Sequence, residues 1–186
     1  EFDRRRRDSL SSTSGGQDVF LSYLSADGEF HWTVPIGGTG DEIVTGLADS
    51  TDEGVFISGE FSDSITIQGT TLTSLGEKDA FLAKFDSDGL LEWAKSLGGS
   101  AADSSRGLTA DSSGNVYWSG SFLGSATVDD SILNSTGNAD AFIVKYDANG
   151  TLKWATNFGG ILSDHATSVS LDHRDQPYLA GMFQAT

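Results

Sequence analysis

An all-β fold of four-stranded units fanned around an axis is predicted by three features of this 186-residue chain. The first is a 61-residue period, kept by Trp32, Trp93 and Trp154, by Asp18, Asp79 and Asp140, and by Gly59, Gly120 and Gly181. The second is a set of short strand-like runs that are apolar on both faces. The third is the Asp, Asn and Gly turn signal that separates those runs. A unit of this size cannot bury its apolar surface alone, so neighbouring units must cover one another.

The second copy shows the elements in order. Asp79 to Phe85 reads as a strand, followed by the turn Asp86-Ser87-Asp88-Gly89. Leu90 to Leu97 is a second strand, which the pair Gly98-Gly99 ends. A third runs through Ser105 to Ala110, stops at Asp111 to Gly114, and leads into a fourth over Asn115 to Phe122. The turn pair Asp88-Gly89 recurs as Asp27-Gly28 and Asn149-Gly150. Such pairs tolerate the positive φ angles of a two-residue hairpin, so four antiparallel strands per unit are expected.

Phe81 and Phe85 alternate with Ala80 and Leu82, and Val116 and Trp118 alternate with Tyr117. A sheet with one wet face would alternate more cleanly. Sheets covered on both sides by their neighbours explain the pattern, as in the blades of a β-propeller. A solenoid would bury two faces as well, but hairpin-linked strands favour the propeller.

Composition narrows the partners. With 37% hydrophobic residues, 23 glycines and only 2 prolines, the chain is ordered and turn-rich rather than disordered. A formal charge of −16 opposes phosphate backbones and anionic membrane surfaces alike. It serves solubility. There are no cysteines, so thiolate and disulfide chemistry are excluded, although the compartment is not thereby fixed. No apolar run approaches the roughly 20 residues of a helical membrane span. No leader pattern opens the sequence, so an exported form would have its targeting segment removed or placed outside this chain.

The motifs Asp79-Ala-Phe-Leu-Ala-Lys-Phe-Asp-Ser-Asp-Gly89, Leu91-Glu-Trp-Ala94, Gly98-Gly99 and Gly107-Leu-Thr-Ala-Asp-Ser-Ser-Gly-Asn-Val-Tyr-Trp-Ser-Gly120 recur in order three times. This series resembles the β-propeller repeats called SBBP repeats, over nearly everything from Gln17 to Phe183. The resemblance implies a propeller and an extracellular or cell-surface setting. It implies no common reaction, ligand or cofactor.

By analogy with related propellers, the Gly-Leu-Thr-Ala strand lies innermost and the tryptophan strand outermost. Pro35 on the tryptophan strand fits an edge, and His31, Glu92 and Lys153 share one repeat position there, as a solvated edge would allow. On this cut residues 1–16 form a flexible or processed amino-terminal arm and residues 17–186 the propeller segment. That segment divides into an outer half-blade (17–38), blades at 39–99 and 100–160, and an inner half-blade (161–186). Within the arm, the run Arg4 to Arg7 is a possible cleavage point before Asp8. Two blades and two halves make an incomplete ring. Either the remaining blades of a longer chain or a homo-oligomeric partner would complete it.

Function is expected on the loops. The excursions Ser62 to Lys78 and Leu123 to Ala139 carry small hairpin patterns, Ile65 to Leu72 and Ala126 to Leu133. They are either a recognition rim or a cap on the blade. Asp86, Asp88, Asp111 and Asp147 invite a calcium reading, but none has the full calcium-loop spacing, and Asp in a tight turn serves its own backbone. No cofactor or metal is therefore expected. His31, His165 and His173 break the repeat, yet only His165, beside Asp164, sits where an acid/base pair could form. No catalytic residue is assigned and no enzyme is expected. Asn134 and Asn149 open glycosylation sequons. The expected role is a non-enzymatic structural or binding scaffold meeting a protein or glycan. The alternative is part of a propeller enzyme, a lyase or hydrolase, with its site in the central channel.

Overall fold

The computed structural model describes residues 15–184, and every regular element among them is a strand. The arm residues 1–14, with the Arg4–Arg7 run, lie outside the described residues. The strands are β1 (Val19–Leu24), β2 (Phe30–Gly38), β3 (Glu42–Asp49), β4 (Val55–Phe61), β5 (Ser64–Ile67), β6 (Thr70–Thr73) and β7 (Asp79–Phe85). They continue as β8 (Leu91–Gly99), β9 (Ser104–Ala110), β10 (Val116–Val128), β11 (Ser131–Tyr146), β12 (Leu152–Phe158), β13 (His165–Leu171) and β14 (Pro177–Met182).

Antiparallel ladders join β3, β4, β7 and β8 into one blade and β9, β10, β11 and β12 into the next. β1 and β2 are the two outer strands of a preceding unit, and β13 and β14 the two inner strands of a following one. The sheets curl as a half-barrel, with β3, β9 and β13 as neighbours on the inside. This is an incomplete propeller ring.

The cores lie between blades, which is why both strand faces are apolar. Along β4 and β7, Ile57, Phe61, Phe81 and Phe85 face one way and pack on Leu21, Val34 and Ile36 of the preceding unit. Phe56, Ala80 and Leu82 face the other way and pack on Trp118, Phe142 and Tyr146. The period-2 alternation thus sends successive side chains into two different cores. Each fully buried Phe contributes roughly 1.5–3 kcal/mol.

The excursion hairpins do not stand free. β5 pairs with β2, Gly37 opposite Thr66 and Gly38 opposite Ile65. In the next copy, β10 runs on past a bulge and pairs with β8, placing Ala126 to Val128 against Gly99 to Leu97. Each hairpin therefore straps itself to the outer strand of the blade before it. The glycine pair makes the approach possible: a Cβ on Gly38 would stand 1.6 Å from the Ser64 carbonyl oxygen, and one on Gly99 would stand 1.9 Å from that of Ser125. Gly37-Gly38 and Gly98-Gly99 are consequently the last residues of their strands. At Gly159-Gly160, where no hairpin is paired among the described residues, β12 stops at Phe158.

The turns also differ from expectation. Within the pairs Asp27-Gly28, Asp88-Gly89 and Asn149-Gly150 only the glycine holds positive φ, and Asp27, Asp88 and Asn149 keep ordinary backbone angles. Gly89 N–H donates to the Asp86 carbonyl and Asp86 N–H to that of Leu90, beside a register shift at Lys84/Phe85. This is a longer turn with a glycine bulge, in place of a two-residue hairpin.

Candidate functional site

Acidic residues gather at the junctions between units. Asp79 starts β7, and Asp103 just precedes β9 in the neighbouring blade; both are buried. Asp103 accepts hydrogen bonds from Gly99 N–H at 2.8 Å and Leu123 N–H at 3.2 Å. Asp79 accepts from Ser74 Oγ at 3.1 Å and Leu75 N–H at 3.2 Å. The arrangement repeats one unit on. Asp164 takes Gly160 N–H at 2.6 Å and Gln184 N–H at 3.2 Å, while Asp140 takes Thr136 N–H at 3.3 Å and Asn157 Nδ2 at 2.8 Å. These carboxylates clasp the chain where it passes from one blade to the next.

Their burial has an electrostatic consequence. Desolvation pushes the Asp103 carboxyl up to about 6, against the pull of its two amide donors, and the nearby Asp79 charge adds to the rise. Asp79 is raised for the same first reason. At the first junction the equivalent residue is Glu42, raised to about 7 by burial and then by the Asp18 charge. The Gly38 amide opposes this only weakly, since neither Glu42 carboxylate oxygen is in hydrogen-bonding geometry with a donor. Acidic residues at 42, 103 and 164 share the 61-residue period, a signal that sequence reading passes over.

A second cluster breaks the repeat. The buried Glu60 of β4 lies 2.7 Å from Lys78 Nζ and 3.3 Å from Arg106 Nη1, which stands on β9 of the next blade. The Arg106 contact is an ion pair without hydrogen-bond alignment. Ser121 and Met182 occupy the equivalent of Glu60, so nothing in the period announces the cluster.

The residues singled out from sequence fall as follows. Asp86, Asp111 and Asp147 each turn one carboxylate oxygen onto two backbone N–H groups of their own turn. Those hydrogen bonds hold Asp147 below the usual carboxylate range; Asp111 is lowered too, against desolvation, by the Asn115 side chain first and then by the Asn115 amide. Asp88 is exposed in the same turn as Asp86. Among the described residues no three His, Cys, Asp or Glu side chains gather as a cation site. His31 stacks on Tyr23 with ring centroids 4.6 Å apart, and His173 is exposed in the β13–β14 turn. His165 opens β13, but both oxygens of its neighbour Asp164 are occupied by backbone amides. Asn134 is exposed and accepts from Ser125 Oγ at 2.8 Å; Asn149 is exposed in the β11–β12 turn.

Blades also lock through tryptophan. Trp32 Nε1 donates to Ser87 O at 3.0 Å and Trp93 Nε1 to Ala148 O at 3.1 Å, each reaching the outer turn of the following blade. The turn glycine is the seat for the ring: a Cβ on Gly89 would meet Trp32 at 2.7 Å, and one on Gly150 would meet Trp93 at 2.9 Å. The rim strand is thus engaged by its neighbour along part of its length and is not simply solvated.

Residues 92–121, from the Trp93 strand through the inner strand to the aromatic strand β10, match the family model of the SBBP β-propeller repeat. That stretch is an SBBP-type β-propeller repeat. Two curated proteins are similar to it. The uncharacterized WD repeat-containing protein L264 of Acanthamoeba polyphaga mimivirus is 26% identical over 189 residues, covering 89% of this chain and 14% of that protein. The regulatory protein FlaEY of Caulobacter vibrioides is 36% identical over 110 residues, covering 57% of this chain and 12% of that protein. The chain therefore spans about one seventh or less of these relatives' length. A crystal structure of a protein of unknown function from Bacteroides caccae superimposes with a TM-score of 0.48 at 10% identity, covering 88% of this chain and 50% of that one.

Proposed function

We propose that the SBBP segment is a non-enzymatic binding and assembly scaffold of an exported or cell-surface protein, meeting a protein or glycan through its rims. One observation carries this reading. Asp103 and Asp164 at the blade junctions spend both oxygens on backbone amides, a use that joins units and leaves little for a reacting group. The outer rim, in contrast, presents the exposed Leu75 and Ile132 on its excursions. Apolar side chains standing on a rigid scaffold are what a partner surface needs.

The test is direct. Glycan-array and surface-protein binding by the purified chain should be lost in a Leu75→Asp, Ile132→Asp double variant that keeps its circular dichroism. Binding unchanged by that variant counts against the rim. Surface exposure is checked by protease shaving of intact cells; a chain protected until the cells are broken refutes the exported setting.

The enzyme alternative has one observation in its favour, the repeat-breaking cluster Glu60, Lys78 and Arg106 near the inner strands. On that reading Glu60 acts on a bond in a polyanionic substrate held by the two cations. Turnover of a uronic-acid polysaccharide that vanishes in Glu60→Gln would establish it over the scaffold.

A further inference from the structure

We propose that Glu42 makes the junction between β1–β2 and the blade after it a proton-operated latch, closed while this carboxyl keeps its proton and opened locally when the proton leaves. The latch is independent of the binding role proposed above. It rests on a clasp that two junctions complete and this one does not.

At positions 103 and 164 the clasp is an aspartate with one amide donor on each oxygen, from Gly99 and Leu123 in one case and Gly160 and Gln184 in the other. Position 42 falls on the same period but carries one more methylene. The counterparts of Gly99 and Leu123 are Gly38 and Ser62. Ser62 N–H is spent elsewhere, on the Asp41 carbonyl at 3.1 Å. The Glu42 side chain is 1% exposed, yet neither of its carboxyl oxygens has a hydrogen-bond partner.

The surrounding charge acts in the same direction. The charges felt by Glu42 are those of Asp18, just ahead of β1, and Asp41, its chain neighbour, both acidic. β3 also packs on β4 and β9, whose charged groups, Glu60 and Arg106, pair with each other. A neutral carboxyl is tolerated in such a place. A carboxylate without a donor, beside a second carboxylate, is not, and water reaches it only if the junction opens.

The backbone defines what opens, because residues 39–42 tie three segments together. Glu42 N–H donates to Gln17 O at 2.8 Å, Thr39 N–H to Ser64 O at 3.2 Å, and Asp41 N–H to Ser62 Oγ at 2.8 Å. Beside this knot Gly38 lies opposite Ile65. Its release frees the start of β1 and the strap β5–β6 from the rim while the β3–β4 ladder stays paired. Glu42 titrates at about 7 in the closed junction against an ordinary 4.5. Closure is therefore strongest below the ordinary value, weakens as pH rises to about 7, and then levels off.

The experiment is amide hydrogen exchange, with protection corrected for the intrinsic rate at each pH. Two amides are matched by the repeat, Glu42 N–H on Gln17 O and Asp103 N–H on Lys78 O. Between about pH 6 and 8 the first should lose protection about 10-fold, and the second, whose carboxyl titrates at about 6, only about 2-fold. Glu42→Gln cannot titrate and should abolish the first loss. Glu42→Asp sets a shorter acid within reach of Gly38 N–H and should bring that loss down toward the Asp103 value. A wild-type Glu42 amide that keeps its protection across this range overturns the latch, as does an equal loss in Glu42→Gln. Should that variant fail to fold, carbon-detected titration of the wild-type Glu42 carboxyl decides: a midpoint near 7 supports the latch, and one near 4.5 overturns it.

Discussion

Glu53, Gly114 and Asp175 occupy one repeat position in the turn between the two inner strands, and all three hold positive φ, at 65°, 78° and 58°. Only the glycine does so without a steric penalty. Asp175 is tied down by Ser112 Oγ on its carboxylate and Tyr117 Oη on its carbonyl, but Glu53 is exposed. Replacing Glu53 by Gly should therefore stabilise the fold by about 0.5–1 kcal/mol, read from urea unfolding midpoints. A loss of stability would mean that the turn depends on the glutamate side chain.

Titration belongs to this scale too. Glu42, Asp79 and Asp103 have folded-state pKa values raised above their ordinary range. Their contribution is fully present below the ordinary carboxylate pKa and is lost as pH rises through about 6 for Asp103 and about 7 for Glu42. Asp52, lowered to about 2 chiefly by its hydrogen bond from Lys84, works in the opposite sense. Its share is present above the ordinary value and disappears only as pH falls toward 2. The melting temperature should thus fall between about pH 4 and 7, and Glu42→Gln with Asp103→Asn should flatten that slope. A wild-type melting temperature that rises over the interval would contradict the burial of these acids.

At the scale of elements, what matters is how one blade grips the next. The indole of Trp93 does two things at once, donating to Ala148 O and resting on Gly150. Trp93→Phe should cost about 1 kcal/mol or more, from the hydrogen bond and the lost ring area. Gly150 and Gly28 make an informative pair. Both have positive φ, but a Cβ on Gly28 would meet nothing within 4 Å, whereas one on Gly150 would strike Trp93. Gly28→Ala should cost about 1 kcal/mol from backbone strain, and Gly150→Ala visibly more, about 2–3 kcal/mol. Equal losses in thermal unfolding would dismiss the tryptophan seat. The same logic explains why the outermost strand ends in Gly-Gly: the strap from the following blade lies where side chains would be.

At the scale of the whole molecule, the fold is a row of interfaces with an open end on each side. Inner-facing and outer-facing residues of one strand belong to different cores, so a blade is only as stable as its neighbours allow. The outer units, β1–β2 and β13–β14, each lack half of that cover, and Trp154, Tyr178, Met182 and Phe183 are correspondingly exposed. Hydrogen exchange should be fastest in β13 and β14, which are covered less than the strands of the two complete blades. Uniform protection across the strands would show that the end units are as stable as the complete blades.

Much of this architecture was legible before any coordinates. The period of Trp32, Trp93 and Trp154 announces equivalent units, and two-sided apolarity in runs such as Asp79 to Phe85 announces sheets covered on both faces. Both signals are local, since strand alternation and turn chemistry act within a few residues. The sequence by itself therefore determined the number of units, the strands within each and the placement of the rim. It did not reveal that the hairpin after one strand straps the preceding blade, that Gly150 seats Trp93, that acids at 42, 103 and 164 close the junctions, or that Arg106 reaches Glu60. Those facts depend on the angle and offset between neighbouring units, which no residue spacing encodes. Only packing in three dimensions set them, because van der Waals contact and desolvation act across the gap between blades rather than along the chain.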